Sequence, residues 1–275
     1  MAATPNPRAS DAAYTSAPST VLCVAAGDFP MPWSLPQSRQ PELMDDPAID
    51  AHDHLHALSA LARLNVVSGT AARLAEGVRH ALADEVDHAQ DPRVIVDLAC
   101  GGGDVTLDLA ARLKRRPPTA PPVRLIGVDM SSRAVARARA AAACRTVEVT
   151  FEVRDVLAEG CPPCDVAVSS LFLHHLDDQA ACDLLRSMAA SVRCGLVISD
   201  LVRSRVGLAL AVLGTTVLST SRVARVDGPL SVHAARTPSE YRALCDAAGL
   251  RTAVIQRVWP ERVMIRWNRP LEVVR

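Results

Sequence analysis

The sequence is most informative at residues 94–104, which are Val94-Ile95-Val96-Asp97-Leu98-Ala99-Cys100-Gly101-Gly102-Gly103-Asp104. The first five residues are apolar except for Asp97, as expected for a strand buried on both faces of a parallel sheet. Three glycines follow, and glycine lets the backbone turn sharply and approach a ligand closely. A tight turn between a parallel strand and a helix N-terminus commonly binds nucleotide-type ligands. We therefore expect a ligand-binding turn at residues 99–103.

Short apolar runs alternate with amphipathic stretches after this turn, a pattern typical of a parallel sheet with crossover helices. The apolar runs predict strands at residues 94–98, 125–128, 147–153, 166–171, 196–199, 253–258 and 263–267. The third run alternates apolar and polar residues, which indicates a strand near an edge, whereas the fourth does not and should be central. The last two strands are joined through Pro260-Glu261-Arg262, which is so short that they must be antiparallel. The pattern predicts an α/β fold, mostly parallel with an antiparallel last strand.

Three regions flank or interrupt this core. Residues 1–47 contain eight of the 19 prolines and no periodic apolar face, so we expect most of this segment to be disordered. Residues 48–91 predict two amphipathic helices, broken near Ser68-Gly69-Thr70, that form an N-terminal lid. The main domain spans residues 92–275 and contains a helical insertion at about 203–236, after the fifth strand. Its apolar segment, residues 206–218, is expected to complete the lid over a substrate.

The composition is that of a soluble globular chain, because 275 residues carry 30 Lys+Arg against 30 Asp+Glu, with a pI near 7.1. This balance argues against a protein that mainly neutralises nucleic-acid phosphates or an anionic membrane. The only lysine, Lys114, lies in a basic run at a helix end, so Schiff-base chemistry is not expected. Eight scattered cysteines, no signal-peptide pattern and no apolar run of about 20 residues predict a cytoplasmic protein without a transmembrane segment.

Carboxylates end the second and third predicted strands. Asp129 is placed to accept hydrogen bonds from both hydroxyls of a ribose, and Asp155 to accept one from an adenine amino group. A dinucleotide fingerprint, G-x-G-x-x-G, would need a glycine three residues after Gly103, where Thr106 stands. A nicotinamide or flavin cofactor is therefore an alternative that the turn does not favour.

The stretch Asp97-Leu98-Ala99-Cys100-Gly101-Gly102-Gly103 resembles the first motif of class I S-adenosylmethionine (SAM) dependent methyltransferases. Asp129, Arg154-Asp155-Val156 and Ser169-Ser170-Leu171-Phe172-Leu173-His174-His175-Leu176 are similar to that family's later motifs, in the same order. The resemblance covers about residues 92–202, and the last strand extends it to about residue 268. It implies a Rossmann-like seven-stranded sheet flanked by helices, with SAM as cofactor. Residues 41–47 and Leu64-Asn65 also resemble bacterial small-molecule methyltransferases of the quinone and phenol type.

The resemblance implies which residues form the site. The cofactor would contact Asp97, Ala99, Cys100, Gly101, Gly103, Asp129, Met130, Asp155, Val156 and Ser170. His174 and His175 follow the fourth strand, at the rim toward which the transferred methyl group should point. Either is a candidate catalytic base, because the ordinary pKa of histidine lies near working pH, and packing within the loop is the alternative. His233 and Tyr241 are weaker candidates.

Two other clusters resemble redox or metal sites. The pair Cys161 and Cys164 lacks a second pair to complete four zinc ligands, so ordinary loop cysteines are expected. His52 and His56 would share a helix face, but the sequence places no third ligand beside them, so they are expected on a polar face. We predict no metal site.

The acceptor class follows from the residues after the fourth strand. Ser169-Ser170-Leu171-Phe172 lacks the Asn/Asp-Pro-Pro-aromatic pattern that points to methylation of amides or exocyclic amino groups. Balanced charge and few aromatics also disfavour nucleic acid as a partner. We expect a small, lipophilic phenolic or hydroxylated acceptor, methylated on oxygen or carbon. Because no catalytic base is unambiguous, a non-catalytic methyltransferase-like subunit that contacts a partner protein remains a second hypothesis.

Overall fold

Seven strands form one sheet in the computed structural model, which describes residues 35–46, 48–83, 92–115 and 121–270. The strands are β1 (Arg93–Leu98), β2 (Val123–Asp129), β3 (Val149–Val153), β4 (Cys164–Ser170), β5 (Val192–Leu201), β6 (Val254–Val258) and β7 (Arg262–Asn268). The helices are α1 (Ala51–Ser68), α2 (Thr70–Ala83), α3 (Asp104–Lys114), α4 (Ser132–Ala143), α5 (Asp178–Ser191), α6 (Arg205–Val217), α7 (Arg222–Ala234) and α8 (Pro238–Ala247). The disorder expected for residues 1–34 and the helix expected beyond residue 83 lie outside the described residues.

The strand order is β3-β2-β1-β4-β5-β7-β6. Strands β1 to β5 pair in parallel, and β7 runs antiparallel to both β5 and β6. The predicted Rossmann-like fold with an antiparallel last strand is thus confirmed, as are the edge position of β3 and the central position of β4. Strand β5 is longer than the predicted 196–199, because it pairs with β7 from Gly195 to Leu201.

Helices cover both faces of the sheet, which explains the nearly continuous apolar character of its central strands. On one face, Val96 packs in a buried cluster with Leu185 of α5. On the other face, Ile95 packs with Leu74 of α2 and Leu109 of α3. Because β1 to β5 are parallel, their carboxyl ends lie at a single edge of the sheet, which is where the ligand-binding loops of such folds are placed.

The two N-terminal helices have different roles. Gly69 ends α1 in the left-handed conformation at φ +66°, so the predicted break is present. Helix α2 lies on the sheet so closely that a Cβ on Gly77 would come within 2.6 Å of Val197 Cγ1. The two helices expected to form a lid therefore differ: α2 belongs to the core, and α1 lies over the carboxyl edge of the sheet.

The insertion after β5 consists of α6 and α7, which pack against each other. Pro229 lies inside α7 and interrupts its periodic pattern, which is why the sequence did not reveal α7 as a separate helix. Although α6 is strongly apolar, its buried residues are only Gly207 and Thr215, and Leu213 is 59 % exposed. The apolar side chains of α6 therefore do not fill the core. No helix in the described part of the chain is long and apolar enough to cross a membrane.

Residues 35–46, hereafter the strap, are ordered by contacts with α7, although the proline content predicted disorder. The Asp227 carboxylate accepts hydrogen bonds from the backbone N–H groups of Leu43 at 2.8 Å and Met44 at 3.0 Å. The Glu42 carboxylate is 7 % exposed and accepts a hydrogen bond from Ser231 Oγ at 2.5 Å. These polar contacts need no apolar periodicity, so they leave no pattern in the strap's own sequence.

We predict that Gly127→Ala lowers the free energy of unfolding by about 1–3 kcal/mol, because a core that is already filled must shift to admit a methyl group. A Cβ on Gly127 would lie 2.5 Å from Phe151 Cδ1 and 3.0 Å from Cys100 Sγ. Urea denaturation measures the effect. The same substitution in a Phe151→Leu background should cost less, and an equal cost in both backgrounds would show that the Phe151 ring is not the obstacle.

We predict that Asp227→Asn loosens the strap. The carboxylate now accepts hydrogen bonds from two backbone N–H groups, and an amide would turn its NH₂ group, which cannot accept a hydrogen bond, toward one of them. Hydrogen exchange at the Leu43 and Met44 amides should accelerate by about tenfold or more, which corresponds to at least about 1.4 kcal/mol. Glu76→Gln, at an exposed position of α2, serves as the control. Unchanged exchange in Asp227→Asn would show that the carboxylate does not hold the strap.

Candidate functional site

The glycine turn joins β1 to α3 through alternating backbone conformations. Ala99, Gly101 and Gly103 have positive φ angles of 55°, 53° and 74°. Gly103 is required sterically, because a Cβ there would lie 2.8 Å from both Ala138 Cβ and Phe151 Cζ. The turn presents its backbone toward the carboxyl edge of the sheet and leads directly into the N-terminus of α3, an arrangement suited to a polar ligand.

Asp129 connects the end of β2 to this turn. One carboxylate oxygen accepts a hydrogen bond from the Gly101 N–H and the other from the Ser131 N–H, both at 2.8 Å. An ionised carboxylate has about four acceptor positions, so lone pairs remain for ligand hydroxyls. Asp155, at the end of β3, is held by the N–H groups of Leu157 and Ala158.

A cavity of about 1030 Å³ lies at the carboxyl ends of the parallel strands. Most of the residues expected at the site line it, namely Ala99, Cys100, Gly101, Asp129, Met130, Asp155, Val156, Ser170, His174 and His175. Asp97 and Gly103 were also expected to contact the cofactor, but neither lines the cavity. The structure therefore brings the four strand ends and the two histidines to one chamber.

Asp97 is buried at 1 % exposure and accepts a hydrogen bond from Thr106 Oγ1 at 2.6 Å. Its other carboxylate oxygen has no hydrogen-bond partner in the part of the chain that the structure describes. Burial raises the pKa of Asp97 to about 7, with smaller contributions from the charges of Asp104 and Asp129. Asp97 thus supports the turn from the core side, through Thr106 of α3, rather than from the cavity wall.

Apolar side chains of α1 and α6 form the opposite wall of the same cavity. Both helices lie outside the sheet, and their contributions include Leu58, Leu61, Leu64, Leu210, Leu213 and Val217. This wall explains the apolar composition of α6, whose side chains face a chamber instead of the core. The two segments expected to cover a substrate therefore border the chamber that contains the glycine turn.

His174 is held by a buried carboxylate at the end of β5. His174 Nδ1 lies 2.6 Å from Asp200 Oδ1, and the His174 backbone N–H donates to Asp200 Oδ2 at 3.1 Å. Burial alone would raise the pKa of Asp200, but the neighbouring His174 lowers it below its ordinary value. Asp200 is therefore an ionised partner that fixes the His174 ring and leaves Nε2 for other contacts.

His175 forms a similar contact with the strap, since its Nδ1 lies 3.2 Å from Asp45 Oδ2. Burial opposes protonation of His175, but the hydrogen bond to Asp45 and the charges of Glu42 and Asp45 outweigh it and raise its pKa to about 9. The His174 and His175 ring centroids are 4.3 Å apart, and Glu42 Oε1 lies 3.9 Å from His174 Nε2. We call Glu42, Asp45, His174, His175 and Asp200 the acceptor-end cluster.

Two groups in the described part of the chain have donor atoms close enough to hold a metal ion. One is Glu42, His174 and His175, and the other is Asp50, His52 and Asp53 on the exposed start of α1. His56 lies beside His52 on α1, with ring centroids 5.9 Å apart as the shared helix face predicts, and its Nε2 is 3.1 Å from Thr220 Oγ1. The second group is solvated, whereas the first borders the cavity.

The remaining candidates occupy other places. Tyr241 is fully buried and donates a hydrogen bond to the Leu201 carbonyl, so its hydroxyl is committed to the core. Cys161 and Cys164 are free, buried thiols, and neither they nor His233 line the cavity. None of these side chains is placed to contact a ligand in the cavity.

Sequence reasoning missed Glu42, Asp45, Asp200 and Arg262 as site residues. Arg262, at the start of β7, lines the cavity and is 7 % exposed. Its Nη2 donates long hydrogen bonds to Asn65 Oδ1 at 3.5 Å and Ser68 Oγ at 3.4 Å, and its Nη1 has no hydrogen-bond partner within residues 35–46, 48–83, 92–115 and 121–270. Burial lowers the pKa of Arg262 to about 10. For Asp200 and Arg262, the one signal in the sequence was their position at the ends of predicted strands.

The residues present fit SAM. The open backbone of the turn and the carboxylates at two neighbouring strand ends suit a nucleoside, and a buried guanidinium with an unpartnered nitrogen suits the carboxylate of an amino acid. SAM combines these two parts in one molecule. The amount of space also suffices, because small-molecule sites commonly measure about 300–1,000 Å³.

Comparisons with known proteins agree with this fit. Residues 95–195 match the family described as "Methyltransferase domain". The plantazolicin methyltransferase BpumL, solved with S-adenosylhomocysteine (SAH), is similar with a TM-score of 0.59 and 16% identity, over 82% of this chain and 90% of BpumL. An O-methyltransferase family 2 protein from Planctomyces limnophilus, solved with apigenin, has a TM-score of 0.50 and 18% identity, over 82% of this chain and 63% of its own.

No curated protein matches the sequence. The solved structures therefore support the fold, and the matched domain supports the chemistry. That domain spans β1 to the start of β5 and includes the glycine turn, Asp129, Asp155 and both histidines. The match and the fold coincide at these residues, so residues 95–195 form a methyltransferase domain and the sheet that contains them has the fold of SAM-dependent methyltransferases.

Proposed function

We propose that the protein transfers the methyl group of SAM to a small, lipophilic phenolic or hydroxylated acceptor. The observation that supports this proposal is the composition of one cavity, which combines the glycine turn, an apolar wall from α1 and α6, and the acceptor-end cluster. A methyl donor, an apolar acceptor and groups able to accept a proton would then share a single chamber.

The cofactor half of the site orients SAM, which supplies an activated methyl group on its sulfonium when bound. In the proposal, Ala99 and Gly101 contact the cofactor through their backbone, Asp129 accepts hydrogen bonds from the ribose hydroxyls, and Asp155 accepts one from the adenine amino group. Arg262 pairs with the carboxylate through Nη1, the guanidinium nitrogen that has no hydrogen-bond partner among the described residues. Val156 and Met130 provide apolar contacts beside the adenine.

The acceptor half must bring a nucleophilic oxygen, or a ring carbon beside a phenolate, to within about 3 Å of the methyl carbon. The hydroxyl of either acceptor has to lose its proton first. That proton would leave at the acceptor-end cluster, where Asp200 holds the His174 ring by Nδ1 and Asp45 holds His175. The leucines of α1 and α6 exclude water, so hydrolysis does not compete and the nucleophile is poorly solvated.

The neighbours support a small acceptor rather than a macromolecule. BpumL has also been solved with a monoazolic desmethylPZN analog, at a TM-score of 0.55 and 17% identity. The Planctomyces limnophilus protein was solved with apigenin, which carries phenolic hydroxyls. These likenesses are of fold, and the apolar wall of this chain's own cavity is the reason to expect a lipophilic compound.

The proposal predicts that a panel of phenols and quinols, incubated with SAM, yields at least one product heavier by one methylene unit in mass spectrometry. His174→Asn should lower kcat for that acceptor by about 10²-fold or more, since the proton acceptor is lost, while SAH affinity changes little. His80→Asn, at an exposed position of α2, is the control. A protein that binds SAH but methylates no acceptor would instead support the non-catalytic subunit.

A second prediction concerns Arg262. Arg262→Met should weaken SAH binding in calorimetry by about tenfold or more, the usual effect of losing a hydrogen-bonded charge pair. Binding of 5′-methylthioadenosine, which lacks the amino-acid part, should not change. Arg266→Met is the matched control, because Arg266 lies four residues further along β7 and does not line the cavity. Equal losses for both ligands would place Arg262 in the stability of the fold and not in carboxylate recognition.

A further inference from the structure

We propose that Glu42, His174 and His175 bind one divalent transition-metal ion of the zinc class at the acceptor end of the cavity. The proposal rests on the proposed function only for its consequence, which is that the ion would face the acceptor hydroxyl. Binding itself is argued from the donor atoms. The sequence could not indicate this site, because Glu42 lies more than a hundred residues from the two histidines.

The donor atoms are close enough to share an ion. One donor atom from each residue lies within 4.8 Å of the other two, and His174 Nε2 and Glu42 Oε1 are 3.9 Å apart. The latter distance is too long for a hydrogen bond. Two donors bound to the same tetrahedral Zn²⁺ at about 2.0–2.2 Å are about 3.4 Å apart. The His174–Glu42 pair would need to close by about 0.5 Å, and the widest pair by at most about 1.4 Å.

Each proposed ligand is oriented by a second contact. Asp200 fixes His174 through Nδ1 at 2.6 Å, and Asp45 fixes His175 through Nδ1 at 3.2 Å, so Nε2 of each ring is left for a ligand. Ser231 Oγ donates to Glu42 Oε1 at 2.5 Å. Histidines that bind metals almost always have a carboxylate or carbonyl partner on the other ring nitrogen, and ligating carboxylates are themselves hydrogen-bonded. All three ligands therefore have the surroundings of a metal site, and an ion that binds there displaces the proton that Asp45 and Glu42 otherwise hold on His175.

The charges around the cluster also favour a cation. The carboxylates of Glu42, Asp45 and Asp200 converge on two imidazoles, and Glu42 and Asp200 are 7 % and 0 % exposed. Arg262 is the cation that faces Asp200 from β7, but its guanidinium hydrogen-bonds toward α1. Buried carboxylates are stable when paired with cations or bound to metals. A divalent ion would compensate the excess of negative charge at the point where the three ligands meet.

Two histidines and one carboxylate leave coordination positions open for an exogenous oxygen. We infer that the acceptor hydroxyl occupies such a position. Its O–H bond then breaks more easily, since a bound Zn²⁺ stabilises the oxyanion, and the proton passes to solvent. The oxyanion's electron pair forms the new O–CH₃ bond, while the C–S bond breaks and its electron pair stays on the sulfur of SAH. Charge and atoms balance without an oxidant or a further cofactor.

The test uses the full-length protein, dialysed against a chelator and titrated with Co²⁺ and then Zn²⁺ by visible absorption and calorimetry. We expect one ion per chain, and we expect His175→Asn and Glu42→Gln to weaken its binding by about tenfold or more. Two control variants should retain it: His52→Asn removes the exposed donor group on α1, and Cys161→Ser removes a free thiol. SAH affinity and melting temperature show whether each variant is folded.

The outcomes separate this proposal from the proposed function. The metal site would be overturned if no ion bound in a 1:1 ratio. It would also be overturned if His52→Asn or Cys161→Ser abolished ion binding while Glu42→Gln did not. Full methylation by the chelated enzyme would overturn the role of the ion in activating the acceptor hydroxyl, and would leave a metal-free histidine as the base. If the ion binds as expected and no acceptor is methylated, the metal site stands and the proposed function fails.

Discussion

The contact between Asp200 and His174 determines how the carboxyl edge of the sheet is organised. A carboxylate with no exposure is stable only when its oxygens are paired, and Asp200 meets this need through the His174 ring and backbone. The contact joins the end of β5 to the loop after β4, and so fixes both histidines. The strap then docks against that loop through Asp45, and the cavity is closed on that side.

The part of the cavity that we assign to the cofactor could be located from the sequence, because its shape depends on local backbone chemistry. An apolar strand that leads into Gly101 and Gly103 is typical of a ligand-binding turn, and Asp129 follows from the rule that ligands bind beyond the carboxyl ends of parallel strands. Asp97 shows the limit of this reasoning. Its place in the motif suggested cofactor contact, but the structure places it in the core, bonded to Thr106.

The acceptor half was not predictable to the same degree, because its parts come from distant segments. Glu42 and Asp45 belong to a proline-rich stretch, where composition indicates disorder, and side chains of α7 order it through polar contacts. Arg262 was treated as a turn residue, and only the sheet order brings β7 next to β5. Such contacts arise from tertiary structure, so periodicity and propensity contain no trace of them.

The apolar wall of α1 and α6 has a consequence for how this protein could change its substrate. The family match ends at residue 195, whereas the strap, α1 and α6 all lie outside it. These segments are joined to the sheet mainly at its carboxyl edge and contribute little to its two buried clusters. Substitutions in the leucines of α6 can therefore reshape the chamber without disturbing the turn that holds the cofactor. The shape of the chamber and the geometry of the glycine turn can therefore change independently of each other.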